Sequence, residues 1–179
     1  MAFHHLALAT RDLAATHRFY TEVMGFTLAK VVAAKSPEGG WAKHVFYRTP
    51  GGDLMAFWEL HDVPVEGEWS PAISTGMGLP VWVNHVAFRA TPDELAERTR
   101  RWLDAGYDVM EVDHGFCVSI YTVDPNGILV EWCADSRPLD ESDRAEAERL
   151  LADPNPPLES GKQPIFHKAA RPAREGASR

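Results

Sequence analysis

Two histidines and one glutamate carry the chemistry of this sequence. His5 and His85 each open an alternating apolar run, His5-Leu6-Ala7-Leu8 and His85-Val86-Ala87-Phe88, while Glu131 sits inside Ile128-Leu129-Val130-Glu131-Trp132-Cys133. Runs of this period read as half-buried strands, where an acid or an imidazole rarely persists unless it is paired or holds a metal. Two imidazoles and a carboxylate suit a divalent transition metal, and with open positions they form the facial arrangement used for non-haem Fe(II) and oxygen chemistry. His4 alternates to the opposite face and is not part of this set.

The elements that position these residues come as a repeat. After His5 follow Thr10-Arg11-Asp12-Leu13 and a helical stretch ending at Gly25-Phe26; after His85 follow Thr91-Pro92-Asp93-Glu94 and a helical stretch ending at Gly106-Tyr107. Thr91, Pro92 and Glu94 make a capping box with proline at the first helical position, and each glycine accepts the left-handed cap. Tyr47-Arg48-Thr49-Pro50-Gly51-Gly52 is then echoed by Tyr121-Thr122-Val123-Asp124-Pro125-Asn126-Gly127, a strand entering a turn. Each half reads as strand, helix and three strands, so the expected fold is α+β, built from two tandem βαβββ modules that share a core or a cavity. Related by a pseudo-two-fold axis, the modules would bring His5 and His85 toward each other.

The first half is read over residues 3–62, a Pro- and Gly-rich connector over 63–82, and the second half over 83–135, giving one domain over 1–135. The connector is a lid, a partner-contacting arm or a spacer. Residues 136–179 are expected to add a short amphipathic helix over 139–152 and a wrapping arm or disordered tail whose Ile165-Phe166 pair docks on a subunit surface. The 179 residues carry a net charge of −8 and 45% hydrophobic residues. That balance argues against a nucleic-acid partner. No apolar run is long enough to span a membrane, and Met1-Ala2-Phe3 leads straight into a strand, so a soluble, cytoplasmic protein is expected. Cys117 and Cys133 match no zinc spacing and read as reduced strand thiols.

His5-Leu-Ala-Leu, Asp12-Leu, Phe19-Tyr20, Met24-Gly25-Phe26, His85-Val-Ala-Phe, Tyr121, Asp124-Pro125-Asn126-Gly127 and Val130-Glu131 together resemble the vicinal oxygen chelate superfamily. That superfamily includes glyoxalase I, fosfomycin-resistance enzymes, bleomycin-binding proteins and extradiol dioxygenases. The resemblance covers residues 3–135 and implies paired βαβββ modules cupped around a metal, with His5, His85 and Glu131 at ligand positions. Glyoxalase I enzymes carry a further glutamate on the last strand of the first half, where Trp58-Glu59-Leu60 supplies Glu59. Matching Gly52 to Gly127 instead aligns Glu131 with Ala56, or with Phe57 if one turn residue is added. Glu59 is therefore a doubtful fourth ligand, with a rim acid beside His61 and Asp62 as the other reading.

The resemblance to extradiol dioxygenases extends to Tyr121, ten residues before Glu131, and to His114 in Asp113-His114-Gly115. Tyr121 would hydrogen-bond a substrate hydroxyl, or be a cross-strand aromatic like Tyr47 in the first half; His114 would be an acid or base near neutral pH, or a solvated loop histidine. The family's other outer histidine has no counterpart between Trp69 and Asn84. The preferred expectation is a dioxygenase using Fe(II) or Mn(II) on a small aromatic vicinal diol. Alternatives are a glyoxalase-like isomerase or lyase using Zn(II), Ni(II) or Co(II), and a metal-free ligand-binding protein. A homodimer is expected.

Overall fold

The computed structural model describes residues 4–158 and 161–171. The first module runs β1 (His5–Thr10), α1 (Leu13–Arg18) with a π-helical continuation over Phe19–Val23, then β2 (Thr27–Lys35), β3 (Trp41–Arg48) and β4 (Leu54–His61). The second runs β5 (His85–Arg89), α2 (Pro92–Asp104), β6 (Val109–Asp113), β7 (Cys117–Val123) and β8 (Leu129–Asp135). A helix α3 (Glu141–Ala152) and a short β9 (Ile165–His167) follow. Two mixed sheets result, ordered β1-β4-β3-β2 and β5-β8-β7-β6-β9, so the two βαβββ modules build equivalent sheets and β9 adds one strand to the second.

The starts and stops follow the local sequence. Thr91 caps α2 with the full capping box and Pro92 opens it, and Asp12 caps α1 through the amide of Ala15. Gly25 and Gly106 adopt positive φ of 77° and 91° where the two helical segments end. At Gly25 the guanidinium of Arg101 packs within 2.6 Å of where a Cβ would stand, a side-chain end that could shift, so the positive φ is what calls for glycine. That arginine donates from Nε to the Glu22 carbonyl, and Arg98 donates to the Met24 carbonyl. Helix α2 of the second module thereby satisfies the open carbonyls at the end of the first module's helix.

One core joins the modules. Tyr20, Tyr47, Phe57, Trp102 and Trp132 are fully buried, and Phe26 of the first module meets the edges or faces of Phe88 and Trp132 of the second. Buried aromatics of this size contribute about 2–3 kcal/mol each. The polar seam is equally specific: Tyr20 donates to Asp124 at 3.0 Å, Asp124 also accepts from Asn126 and the Ile128 amide, and Asn126 donates to Thr16. Burial pushes the Asp124 carboxyl up from its usual range, and the Asn126, Ile128 and Tyr20 hydrogen bonds oppose that shift. The Asp-Pro-Asn-Gly turn thus locks one half onto the other.

The connector is pinned to the rest of the chain at several points. Ala72 and Ser74 are buried, Ser74 Oγ accepts from the Asn84 amide at 2.7 Å, and Arg11 stacks over Trp69 and donates to its carbonyl. Helix α3 forms over nearly the expected residues but buries none of them, leaving Leu151 91% exposed. The tail residues at 159–160 and 172–179 lie outside the described residues. Ile165 and Phe166, expected to dock on a subunit surface, form β9 against β6 of the same chain and keep their side chains exposed.

Candidate metal centre

Strand register determines which side chains can meet. In the second sheet Ala87 stands beside Glu131, Glu131 opposite Tyr121, and Tyr121 opposite Met110, so these four share a face, with His85 two residues before Ala87 on the same side. In the first sheet Ala7 stands beside Ala56, and Ala56 opposite Phe46. His5 and His85 are therefore equivalent, each beside a leucine, Leu54 or Leu129. The counterpart of Glu131 is Ala56, and that of Tyr121 is Phe46. The expectation that Tyr47 matches Tyr121 is off by one residue: Tyr47 faces the helices, fully buried beside Tyr20 and Phe57.

His85 and Glu131 converge. Nε2 of His85 lies 3.0 Å from Oε2 of Glu131, while His85 Nδ1 lies 3.1 Å from the Trp82 carbonyl. A carbonyl only accepts, so Nδ1 carries the proton, and in the neutral ring Nε2 presents a lone pair to a carboxylate. Two acceptors at that distance require a proton or a cation between them. Glu131 is 5% exposed, and its other oxygen accepts from Ser119 Oγ at 2.5 Å, so the carboxylate is both buried and aimed. Nitrogen and oxygen donors with these outer partners fit a divalent transition metal.

His5 does not join them within one chain. Its exposed ring contacts His4, Nδ1 to Nδ1 at 2.8 Å, and lies 6.0 Å and 5.5 Å from the ring centres of His44 and Phe46. Among the described residues no three His, Cys, Asp or Glu side chains are grouped to hold an ion. Glu59 points to the face opposite Ala56, where its Oε2 accepts from Lys43 at 3.0 Å and lies 2.8 Å from His61 Nε2. Burial works to raise its pKa, but the hydrogen bonds and charges of Lys43 and His61 prevail and hold it below the usual range. This glutamate is a satisfied ion-pair partner on the far side of the first sheet.

Tyr121 and His114 lie together. Tyr121 Oη and His114 Nε2 lie 3.0 Å apart, and the Tyr121 ring centre is 6.2 Å from that of His85. A turn with Gly115 at φ 83°, closed by Asp113 accepting from the Gly115 amide, presents His114. Burial pushes the Tyr121 phenol up to about 12, and the neighbouring Glu131 charge adds to this, so it keeps its proton at neutral pH.

Sequence reasoning missed Ser119 and His44. Ser119 was signalled by alternation, being two residues before Tyr121 and hence on its face. His44 shares Phe46's face, stacks on Trp58 at 3.7 Å, and has its pKa lowered by burial and then by the charge of His5. Cys117 is buried on the Ser119 side, its thiol pushed up to about 11 by burial, and both cysteines are free.

A family model for the Glyoxalase/Bleomycin resistance protein/Dioxygenase superfamily matches residues 2–132. Comparison with curated proteins returned no match. Among solved structures, a glyoxylase/bleomycin resistance protein/dioxygenase domain from Frankia sp. EAN1pec superposes with TM-score 0.58 at 20% identity, covering 75% of this chain and 92% of that one. The genomically encoded fosfomycin resistance protein FosX from Listeria monocytogenes gives 0.53 at 20% identity, covering 80% and 98%. A FosX structure complexed with Mn(II) and sulfate gives 0.52 at 19%, covering 81% and 97%. With the paired modules, the matched register and a family model spanning both, the chain belongs to the Glyoxalase/Bleomycin resistance protein/Dioxygenase superfamily.

Proposed function

We propose that this protein is a metal-dependent enzyme acting on a small molecule with two adjacent oxygens, and that it works as a homodimer in which His5 of one copy completes a site built on His85 and Glu131 of the other. The observation that carries this reading is the 3.0 Å approach of His85 Nε2 to the buried Glu131 carboxylate, with Trp82 behind the imidazole and Ser119 behind the carboxylate. Ala56 at the matching place in the first sheet leaves coordination positions free for substrate. Support for a second copy comes from the first sheet, where all nine residues of β2 are exposed, together with Trp41 and Trp58. The FosX neighbours include complexes with Mn(II), one of them with a 1S,2S-dihydroxypropylphosphonic acid.

Within this class the residues favour oxygen-dependent cleavage of a vicinal diol, with Fe(II) or Mn(II) as the cation. When bound, the cation would supply polarisation of the two substrate oxygens and electron transfer to dioxygen. The chain's own part is positional and protonic. The Trp82 carbonyl fixes the His85 tautomer, Ser119 orients Glu131, Tyr121 donates toward a substrate oxygen, and His114 takes or returns a proton through the Tyr121 hydroxyl. The glyoxalase-like reading loses support because Glu59 faces away. Metal-free protein reconstituted anaerobically with ferrous iron or manganese should consume oxygen with catechols; turnover restored by nickel or zinc without oxygen uptake would favour isomerase chemistry instead.

A further inference from the structure

The row of side chains that holds Glu131 does not end at the family domain. Register carries it from Ala87 through Glu131, Tyr121 and Met110 to Phe166 of β9, a strand beyond the matched residues 2–132. Residues directly opposite on neighbouring strands share a face, so Phe166 stands on the site side of the sheet. At strand spacing it lies roughly 14 Å from Glu131. Phe166 is 65% exposed while Tyr121 is 8% exposed, so the row descends from an open aromatic wall to a buried chelating end. Tyr121 and Met110, which fill the distance between, carry no charge at neutral pH.

Three residues of pairing would hold β9 weakly. Contacts on both sides hold it: ion pairs of Lys168 with Asp108 and Lys162 with Asp113, His167 Nε2 2.9 Å from Glu111 Oε2, and the Ala169 amide donating to Asp108. Asp113 immediately precedes His114 and shapes the turn that presents it, so the clamp seating Phe166 also borders the Tyr121 partner.

We infer that Phe166 is a specificity-determining residue, and that the substrate is a vicinal diol or equivalent chelator bearing a ring-sized apolar substituent that lies across Met110 and against Phe166. This rests on the metal reading above, with oxygens chelated at His85 and Glu131. It assigns the carboxyl-terminal arm a direct part in the pocket.

The test uses the full chain loaded with Mn(II) under anaerobic conditions, with catechol and 4-phenylcatechol as probes and calorimetry for the affinities of both and of manganese itself. Wild type should bind 4-phenylcatechol about tenfold more tightly than catechol, in keeping with burial of one aromatic ring. Phe166→Ala should reduce that preference to near unity, with manganese and catechol affinities unchanged, and Phe166→Leu should restore most of it. An undiminished phenyl preference in Phe166→Ala, with manganese bound normally, overturns this inference alone. Absence of manganese binding in wild type overturns the metal reading and this inference with it.

Discussion

The two sheets are built to the same register and furnished differently. Across the first run Ala7, Ala56 and Phe46; across the second, in the same places, Ala87, Glu131 and Tyr121. Both sheets keep the histidine that starts their first strand, but only the second surrounds it with a buried carboxylate, a serine aimed at that carboxylate and a phenol. The first offers aromatic surface instead, with His44 and Trp58 stacked beside an exposed His5. The repeat supplies the same geometry twice, with Glu131 and Tyr121 in the second sheet where the first has Ala56 and Phe46.

The strongest way to break this comparison is to separate the halves genetically. Glu131→Gln removes an anionic oxygen from the pair, and His5→Ala removes the imidazole from the other sheet. Each homodimer should lose metal affinity by about 10²–10³, beyond the ten- to hundredfold typical of outer partners. Coexpressed, the two variants should regain one intact site per heterodimer, with His5 from the Glu131→Gln chain and His85 and Glu131 from the His5→Ala chain. Manganese stoichiometry of the isolated heterodimer measures this directly. Half a manganese per chain supports a site shared between copies, and none would place all ligands within one chain.

How much of this was legible in the sequence depends on the range of the interaction. The repeat was legible because alternation, capping residues and turn glycines are local, and His5, His85, Glu131 and Ala56 fell into register once Gly52 was matched to Gly127. The proximity of Tyr121 and His114 has the same local cause, one tight turn between them. Tyr47 was misaligned because aligning Tyr to Tyr ignores the turn, and a one-residue slip exchanges the two faces of a strand. The pairing of β9 with β6 was hidden because its cause is long-range: lysines at 162 and 168 meet aspartates at 113 and 108, far apart in sequence. His5 left separate from His85 is of the same kind, since no local pattern fixes how two sheets face each other.

The two tyrosines sharpen the comparison by charge. Tyr47 in the first module and Tyr121 in the second are both pushed up to about 12, foremost by burial, and Tyr20 and Tyr107 are raised as well. An unfolded phenol ionises near 10, so between about pH 10 and 12 the unfolded chain loses protons that the native one keeps. Stability from these groups is thus fully present below pH 10 and lost as pH rises through the folded values. Absorbance at 295 nm should stay flat through pH 10 and then rise together with loss of the far-ultraviolet circular dichroism signal. A phenolate signal at pH 10 in folded protein would contradict the burial of this core.

Glu59 gives the smallest effect and the cleanest contrast with Glu131. Both are strand glutamates beside a histidine, at 2.8 Å and 3.0 Å, yet one also has Lys43 and faces away from the site. Glu59→Gln should leave manganese affinity unchanged and cost about 0.5–1 kcal/mol at pH 7, as for a partly exposed ion pair. Because its folded pKa lies below the ordinary 4.5, that contribution is complete above pH 4.5 and disappears as pH falls through the lowered value. Urea unfolding of wild type and variant at pH 7 and at successively lower pH should show the gap closing. A gap that persisted at the acid end would mean that Glu59 acts through packing, and a loss of manganese affinity would return it to the ligand set.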